Sequence, residues 1–262
     1  EYLHVKISKL FYETILFSDK LTITVGKIGF FSFFANNIYT GNTNKQFINE
    51  AFVKDKSIDI PKGTYALRLN YIYSKNFYVD LGCYAAENNV SLKGLKIIQI
   101  TYNPYDAHYR LYYWVNDKKT QDLTSHGLGM SIDKLIFSKL GLFLRCSYKY
   151  PFTTIYLLNK HEKIPLFFLY SCGVQFTAFR SRLNDVIGFA IGQSYNHIEY
   201  SLYNTNKNKS LLLETQIETY YNYQLNNYVT ISPTIQLIRN QHRENPHKRL
   251  FVYGIKINIV LF

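Results

Sequence analysis

The stretch Arg249-Leu-Phe-Val-Tyr-Gly-Ile-Lys-Ile-Asn-Ile-Val-Leu-Phe262 decides how the rest of the chain is read. Side chains of an extended strand alternate between its two faces. Tyr253, Ile255, Ile257, Ile259 and Leu261 therefore share one face, while Gly254, Lys256 and Asn258 share the other. An apolar face, a polar face and a final aromatic suit the closing strand of a membrane-spanning barrel, or the last strand of a soluble sandwich. Phe262 has the parity of Lys256 and Asn258, which predicts a bulge or turn at the strand end.

Composition narrows the choice. The chain has 262 residues, with Tyr 25 and Phe 19 against one Trp, and only 18% charged residues. Mean hydropathy is nevertheless −0.16. A transmembrane helix needs about 20 consecutive apolar residues, and no such run occurs. Barrel strands alternate and average to a neutral hydropathy, so a transmembrane barrel fits. The net charge of +12 is scattered, with clusters in apparent loops (Lys118-Lys119, Lys207, Lys209, His242-Arg243, His247-Lys248-Arg249). No basic helix accompanies it, and nucleic acid is not expected as a partner. Cys83, Cys146 and Cys172 are far apart and lack metal-ligand spacing. No metal, nucleotide or cofactor motif stands out.

Alternation and turn signals predict about thirteen strands, near 4–16, 21–28, 64–74, 77–86, 94–102, 107–116, 125–132, 140–148, 166–177, 184–194, 210–223, 228–239 and 249–262, with no helix of three turns. Short connections (Phe17 to Lys20, Ser74 to Asn76, Asn103 to Asp106, Asp133 to Lys139, Thr177 to Leu183, Gln224 to Asn227) alternate with longer ones at 29–63, 87–93, 117–124, 149–165, 195–209 and 240–248. Short turns on one side and long loops on the other is the pattern of an outer-membrane barrel.

Face assignment agrees. Tyr109, Leu111, Tyr113 and Val115 point one way, and Arg110, Tyr112, Trp114 and Asn116 the other. Ile231, Ile235 and Leu237 oppose Thr230, Ser232, Thr234 and Gln236; Thr215, Ile217 and Thr219 oppose Glu214, Gln216 and Glu218; Phe168, Tyr170 and Val174 oppose Ser171, Gly173 and Gln175. Pro233 removes a ladder hydrogen bond and marks a local irregularity.

Residues 10–61 contain Leu10-Phe-Tyr-Glu-Thr-Ile-Leu-Phe17, Leu21-Thr-Ile-Thr-Val-Gly-Lys-Ile28, Phe33-Phe-Ala-Asn-Asn-Ile-Tyr39, Gln46-Phe-Ile-Asn-Glu-Ala-Phe-Val53 and Ile58-Asp-Ile-Pro61. This order resembles the carbohydrate-selective porins, the OprB-like family, with a strand ending in Val-Gly-Lys, a Phe/Asn-rich loop and a Gln-Phe-Leu-Asn motif. The likeness continues through Tyr109 to Asn116, Gly127-Leu-Gly-Met-Ser131, Arg182 with Asp185 to Ala190, Glu218-Thr-Tyr-Tyr221 and Pro233-Thr-Ile-Gln236. It spans nearly the whole chain and departs at Gly41-Asn-Thr-Asn-Lys45, where family members tend to carry acidic residues. The resemblance implies an all-β, antiparallel transmembrane barrel of about 16 strands, so about three would precede those legible here. Residues 1–262 then form one porin domain, and 29–63 is expected to fold inward as the constriction loop.

The function expected is passive diffusion of sugars or other small polar solutes through the bacterial outer membrane, with no cofactor, in contact with outer-membrane lipid and compatible with a homotrimer. By strand parity the pore-lining residues would be Arg68, Asn70, Arg110, Trp114, Arg145, Gln175, Glu214, Glu218 and Gln236. Arginine forks and the single indole suit hydroxyl-rich rings. In the loop, Phe30, Phe31, Phe33 and Phe34 are expected to anchor against the wall, leaving Asn36, Asn37, Asn44, Gln46 and Asn49 for solute. A non-selective, structural or adhesive barrel is the alternative. An outer-membrane lipase would need converging Ser, His and Asn or Asp; His126 and Ser131 differ in parity and lie in no nucleophile motif, so no enzyme is expected.

Overall fold

The computed structural model describes residues 9–61, 65–86, 94–117, 124–152, 167–179, 182–196, 212–239 and 249–260. Strands β1 (Leu10–Leu16), β2 (Leu21–Lys27), β3 (Tyr65–Ser74), β4 (Phe77–Ala85), β5 (Gly94–Tyr102), β6 (Ala107–Asp117), β7 (Thr124–Ile136), β8 (Leu140–Phe152), β9 (Phe167–Phe179), β10 (Arg182–Asn196), β11 (Leu212–Gln224), β12 (Val229–Arg239) and β13 (Arg249–Ile259) make one 13-stranded sheet. Its strand order is the chain order, and every neighbouring pair is antiparallel. Among the described residues only two short helical turns occur, η1 (Phe30–Ser32) and α1 (Glu50–Val53), both between β2 and β3. No helix among the described residues is long and apolar enough to cross a membrane.

Period-2 alternation sorts the strands into two faces. In the β5–β6 register, Ile97 opposes Trp114, Gln99 opposes Tyr112 and Thr101 opposes Arg110, and all six are buried. The intervening pairs, Ile98 with Tyr113 and Ile100 with Leu111, are exposed. An apolar exposed face backed by a polar buried one inverts the soluble arrangement and is what hydrocarbon on the outside requires. Exposed tyrosines gather near the ends of this band: Tyr73, Tyr102, Tyr105 and Tyr109 by the short turns, and Tyr65, Tyr148 and Tyr150 toward the opposite ends. Amphipathic rings favour such interfacial positions.

The sequence-predicted strands recur with corrected ends. The strand expected at 125–132 continues to Ile136 as β7, because Asp133, taken for a turn residue, is buried and paired within the sheet. The β7–β8 turn falls instead at 137–139, with Phe137 and Ser138 at φ 52° and 56°, two left-handed residues that suit a tight hairpin. Strands β8 and β10 outrun their expected 140–148 and 184–194. Pro233 lies on the exposed face of β12. Pairing to β13 runs through Pro233↔Ile255, whereas pairing to β11 stops at Tyr220↔Thr234 and resumes at Tyr223↔Ile231. The missing N–H therefore falls on the β11 side. Phe262, residues 4–8 of the first expected strand, and the clusters Lys118-Lys119, Lys207, Lys209, His242-Arg243 and His247-Lys248 lie outside the described residues.

Large rings on the buried face sit over glycines of the adjacent strand. Tyr112 opposes Gly129, Trp114 opposes Gly127, Phe143 opposes Gly173 and Tyr220 opposes Gly188. A Cβ at these glycines would come within 2.1, 2.6, 2.4 and 2.2 Å, respectively, of the facing ring. The glycines make room for rings that would otherwise stand away from the wall.

Candidate functional site

Residues 28–61, which join β2 to β3, lie against the polar face of the sheet. Their first part is held by aromatic packing. Phe30 and Phe34 are buried with Tyr84, Leu95, Ile97, Tyr112 and Trp114, and the Phe30 and Phe34 rings stack at 5.6 Å. Phe31 and Phe33 pack on the same cluster, and the Arg68 guanidinium lies 4.3 Å from the centre of the Phe33 ring. A second cluster joins Phe47, Phe52 and Val53 to Phe143, Ala190 and Tyr220. Each buried aromatic contributes on the order of 1.5–3 kcal/mol, so the segment is seated at both ends.

Polar bonds fix its register. The backbone N–H of Ala35 donates to Gln99 Oε1 at 2.9 Å. Asn37 Nδ2 donates to Ser131 Oγ and to the Ile132 carbonyl, both at 3.1 Å, while Ser131 Oγ donates to the Asn36 carbonyl at 2.9 Å. Further along, the N–H groups of Ile48 and Asn49 donate to the two oxygens of Glu218, each at 2.8 Å. Asn49 also caps α1, its side chain accepting from Ala51 N, and it donates to Gln236 Oε1 at 3.4 Å. Lys256 donates to the Thr43 and Gln46 carbonyls. The segment thus bonds β5 and β7 near its start and β11, β12 and β13 further on, so the sheet curls around it.

Its last part rests on two aspartates. Asp55 accepts from Tyr112 OH, Ser147 Oγ, Ser57 Oγ and Ser57 N at 2.5, 2.8, 2.6 and 2.9 Å. Asp59 pairs with Lys149 at 2.6 Å, and its carbonyl accepts from Asn116 Nδ2 at 2.6 Å. Around Asp55, the side chains of Glu50, Lys54 and Lys56 are exposed. Glu50 and Lys54 pair at 2.7 Å, one helical turn apart; that hydrogen bond, with the Lys54 charge, lowers the Glu50 carboxyl from its ordinary value. Burial first, then the charges of Asp133 and Asp106, raise the Tyr39 phenol.

The wall residues singled out from sequence divide into groups. Arg145 is buried and donates to the carbonyls of Phe52 and Ala35 at 2.7 and 3.3 Å, and to Thr40 Oγ1 at 3.3 Å. With Glu218 and Gln236 it seats the segment. Arg110 pairs with Asp133 at 2.5 Å, and His108 Nδ1 lies 2.6 Å from the same carboxylate. Arg68 and Asn70 converge on Asp80, at 2.7 and 3.0 Å. Gln175 accepts from Tyr220 OH at 3.1 Å. Trp114 is fully buried, because residues 28–61 cover the face it occupies. Glu214 is half-buried and accepts from Gln216. Of the loop residues, Asn37 and Asn49 are committed to the wall, Asn36 is half-buried and Asn44 exposed. Gln46 ties the segment to itself, donating to the Ile38 carbonyl at 2.5 Å.

Sequence reasoning gave no site role to Asp55, Asp59, Asp80 and Lys149, read Asp133 as a turn residue, and weighed Ser131 only as a nucleophile. The signal available was scarcity: the chain has 18 acidic residues, and an acid at a strand position of buried parity needs a partner. No group of three or more potential metal ligands occurs among the described residues.

A comparison with proteins of curated function finds no match. Among solved structures, the high-pH form of Pseudomonas putida OprB is 16% identical, with a TM-score of 0.69, covering 96% of this chain and 72% of that one. The outer-membrane channel DcaP of Acinetobacter baumannii is 12% identical, with a TM-score of 0.57, covering 94% and 82%. The trimer form of OmpT from Vibrio cholerae is 8% identical, with a TM-score of 0.60, covering 92% and 77%. At these identities the likeness is one of fold, and it is the fold of outer-membrane β-barrels. Sequence carries the stronger statement: the family described as "Carbohydrate-selective porin, OprB family" matches residues 2–134 and 137–261, and with its motifs running along an antiparallel sheet that turns its apolar face outward, the chain belongs to that family.

Proposed function

We propose that neutral sugars, with other small polar solutes, diffuse through this barrel past residues 28–61, which act as its constriction. Family membership makes the chain a porin of a bacterial outer membrane. The observation that supports the finer reading is the seated segment itself. It is bonded to the wall from β5 to β13 while Glu50, Lys54 and Lys56 remain exposed. A narrowed polar passage selects by width, by donors and acceptors, and by charge. Arg68, Gln175 and Glu214 from the wall, with Asn44 and Gln46 from the segment, are the residues we propose to meet the solute. The roles of Arg110, Arg145, Glu218 and Gln236 are to hold the passage in shape.

Porins are channel proteins, and conduction without catalysis is part of the same proposal, as is a homotrimer like the trimer form described for Vibrio cholerae OmpT. Single-channel conductance in a planar bilayer, titrated with glucose and then with longer oligosaccharides, tests the reading. Saturable block of the current is the expected result. A steady current untouched by sugar would leave a non-selective porin, and no current would leave a structural or adhesive barrel. Chemical crosslinking in detergent tests the trimer, with a band at three times the monomer mass expected.

A further inference from the structure

We propose that the outward face of β9–β13, near the ends that carry the longer connections, binds the phosphate of an outer-leaflet lipid between Arg239 and Arg249. The register of four ladders sets Tyr170, Gln193, Thr215, Arg239 and Arg249 side by side, in one row across five strands. The row lies on the face of Ile235 and Tyr253, both exposed, which is the apolar outer face of the barrel. Two residues further along each strand, the same face carries Cys172, Ile191, Ile217, Leu237 and Phe251, again in register. Two strand residues span about 7 Å, so the apolar band ends at this row. On a membrane-spanning barrel that is the level of the lipid headgroups.

Most of the row satisfies itself. The hydroxyls of Tyr170 and Tyr195 donate to Gln193 Oε1, the second at 3.2 Å, and Gln193 Nε2 donates to Thr215 Oγ1 at 3.2 Å. The Thr215 hydroxyl keeps its own proton to donate, beside Arg239.

Arg239 and Arg249 are the unsatisfied end. They are direct cross-strand partners, both exposed, and neither side chain makes a hydrogen bond or ion pair among the described residues. Like charges directly opposite one another destabilise a strand pair, and an anion held between them reverses the sign. The described carboxylates of these strands lie elsewhere. Glu214 and Glu218 occupy the opposite face of β11, and Asp185, at the other end of β10, is bonded to Arg182, Tyr221 and Gln224. Guanidinium forks match phosphate oxygens in pairs. A phosphate carried on a lipid gains more here than a free one, because Leu237 and Phe251, one step along from the two arginines, meet its acyl chains.

The test is native mass spectrometry of the barrel in detergent, titrated with diphosphoryl lipid A or its dephosphorylated form, with inorganic phosphate as competitor. Wild type is expected to retain the diphosphoryl lipid. Arg239→Gln combined with Arg249→Gln weakens that retention about ten-fold or more, the loss of charged hydrogen bonds, to the level of the dephosphorylated lipid on wild type. Lys75→Gln, in a short turn at the opposite end, leaves it unchanged. Arg249→Glu also loses the lipid yet unfolds at a higher temperature, since it turns a like-charge pair into an ion pair; it keeps the test valid if the double variant folds poorly. Undiminished retention in the double variant or in Arg249→Glu overturns the site, and a loss of oligomer alone in those variants assigns the arginines to a contact between copies. Displacement of the lipid by inorganic phosphate at equal concentration also overturns it, leaving a site for free anions.

Discussion

Tyr112 of β6 donates its hydroxyl to Asp55 Oδ2 across 2.5 Å, joining the barrel wall to the segment that crosses it. Both residues are about 1% exposed. Replacing Asp55 by Ala leaves the Tyr112 and Ser147 hydroxyls without their acceptor, and each buried orphan costs about 1–3 kcal/mol. The back half of residues 28–61 is then tied to β6 and β8 by fewer polar bonds, chiefly those of Asn116 and Lys149 to Asp59 and of Arg145 to the Phe52 carbonyl. Single-channel recordings of Asp55→Ala are expected to show a larger and noisier conductance, with Tyr112→Phe intermediate. Wild-type conductance in both would mean that the segment does not set the width of the passage.

The same tyrosine depends on a residue that contributes no side chain. A Cβ on Gly129 would stand 2.1 Å from Tyr112 Cε2, so Gly129→Ala must push the ring off the wall and its hydroxyl away from Asp55. Overpacking of this kind costs about 1–3 kcal/mol. Gly254, where an added Cβ meets nothing within 4 Å, is the internal comparison. The temperature at which the folded barrel gives way to the unfolded form on a denaturing gel should fall for Gly129→Ala and hold for Gly254→Ala.

Much of this architecture is legible along the chain, and the reasons for the remainder are physical. Alternation reports which way a side chain points, so Arg110, Tyr112, Trp114 and Asn116 could be assigned to one face from sequence, and all four are buried. What alternation does not report is what lies on that face. Trp114 reads as an indole offered to solute, but Phe30, Phe34 and Ile58, more than fifty positions earlier, cover it. Asp55 sits in a segment without periodicity, so nothing marks it as the acceptor for β6 and β8. Asp133 reads as a turn because acids are rare inside strands, and only the cross-strand Arg110 and His108 make it acceptable there.

Glu218 offers a more local test of the seated segment. Its two oxygens accept the backbone N–H groups of Ile48 and Asn49, each at 2.8 Å, an arrangement only a carboxylate completes. Glu218→Gln turns one acceptor into an NH2 group facing an N–H donor. The expected loss is about 1–3 kcal/mol, and it loosens residues 45–50 without touching the outer face. Limited proteolysis should cut this variant near Lys45 while the wild type is spared; equal resistance would mean that the aromatic cluster around Phe47 and Phe52 suffices to hold the segment.

The outward face makes the last demand. Leu111 stands in the middle of β6, 48% exposed, flanked across the ladders by Ile100 and Met130. In water an arginine there would be nearly neutral, since surface substitutions usually fall within about 0.5 kcal/mol. In hydrocarbon the same change costs about 2–4 kcal/mol near the bilayer midplane. Leu111→Arg is therefore expected to lower folding stability in phospholipid vesicles, measured by urea titration, by about that amount. At Tyr105, fully exposed in the β5–β6 turn, the matching Tyr105→Arg should cost little. Equal, small effects at both positions would place Leu111 in water and contradict the membrane-facing assignment of the whole apolar band.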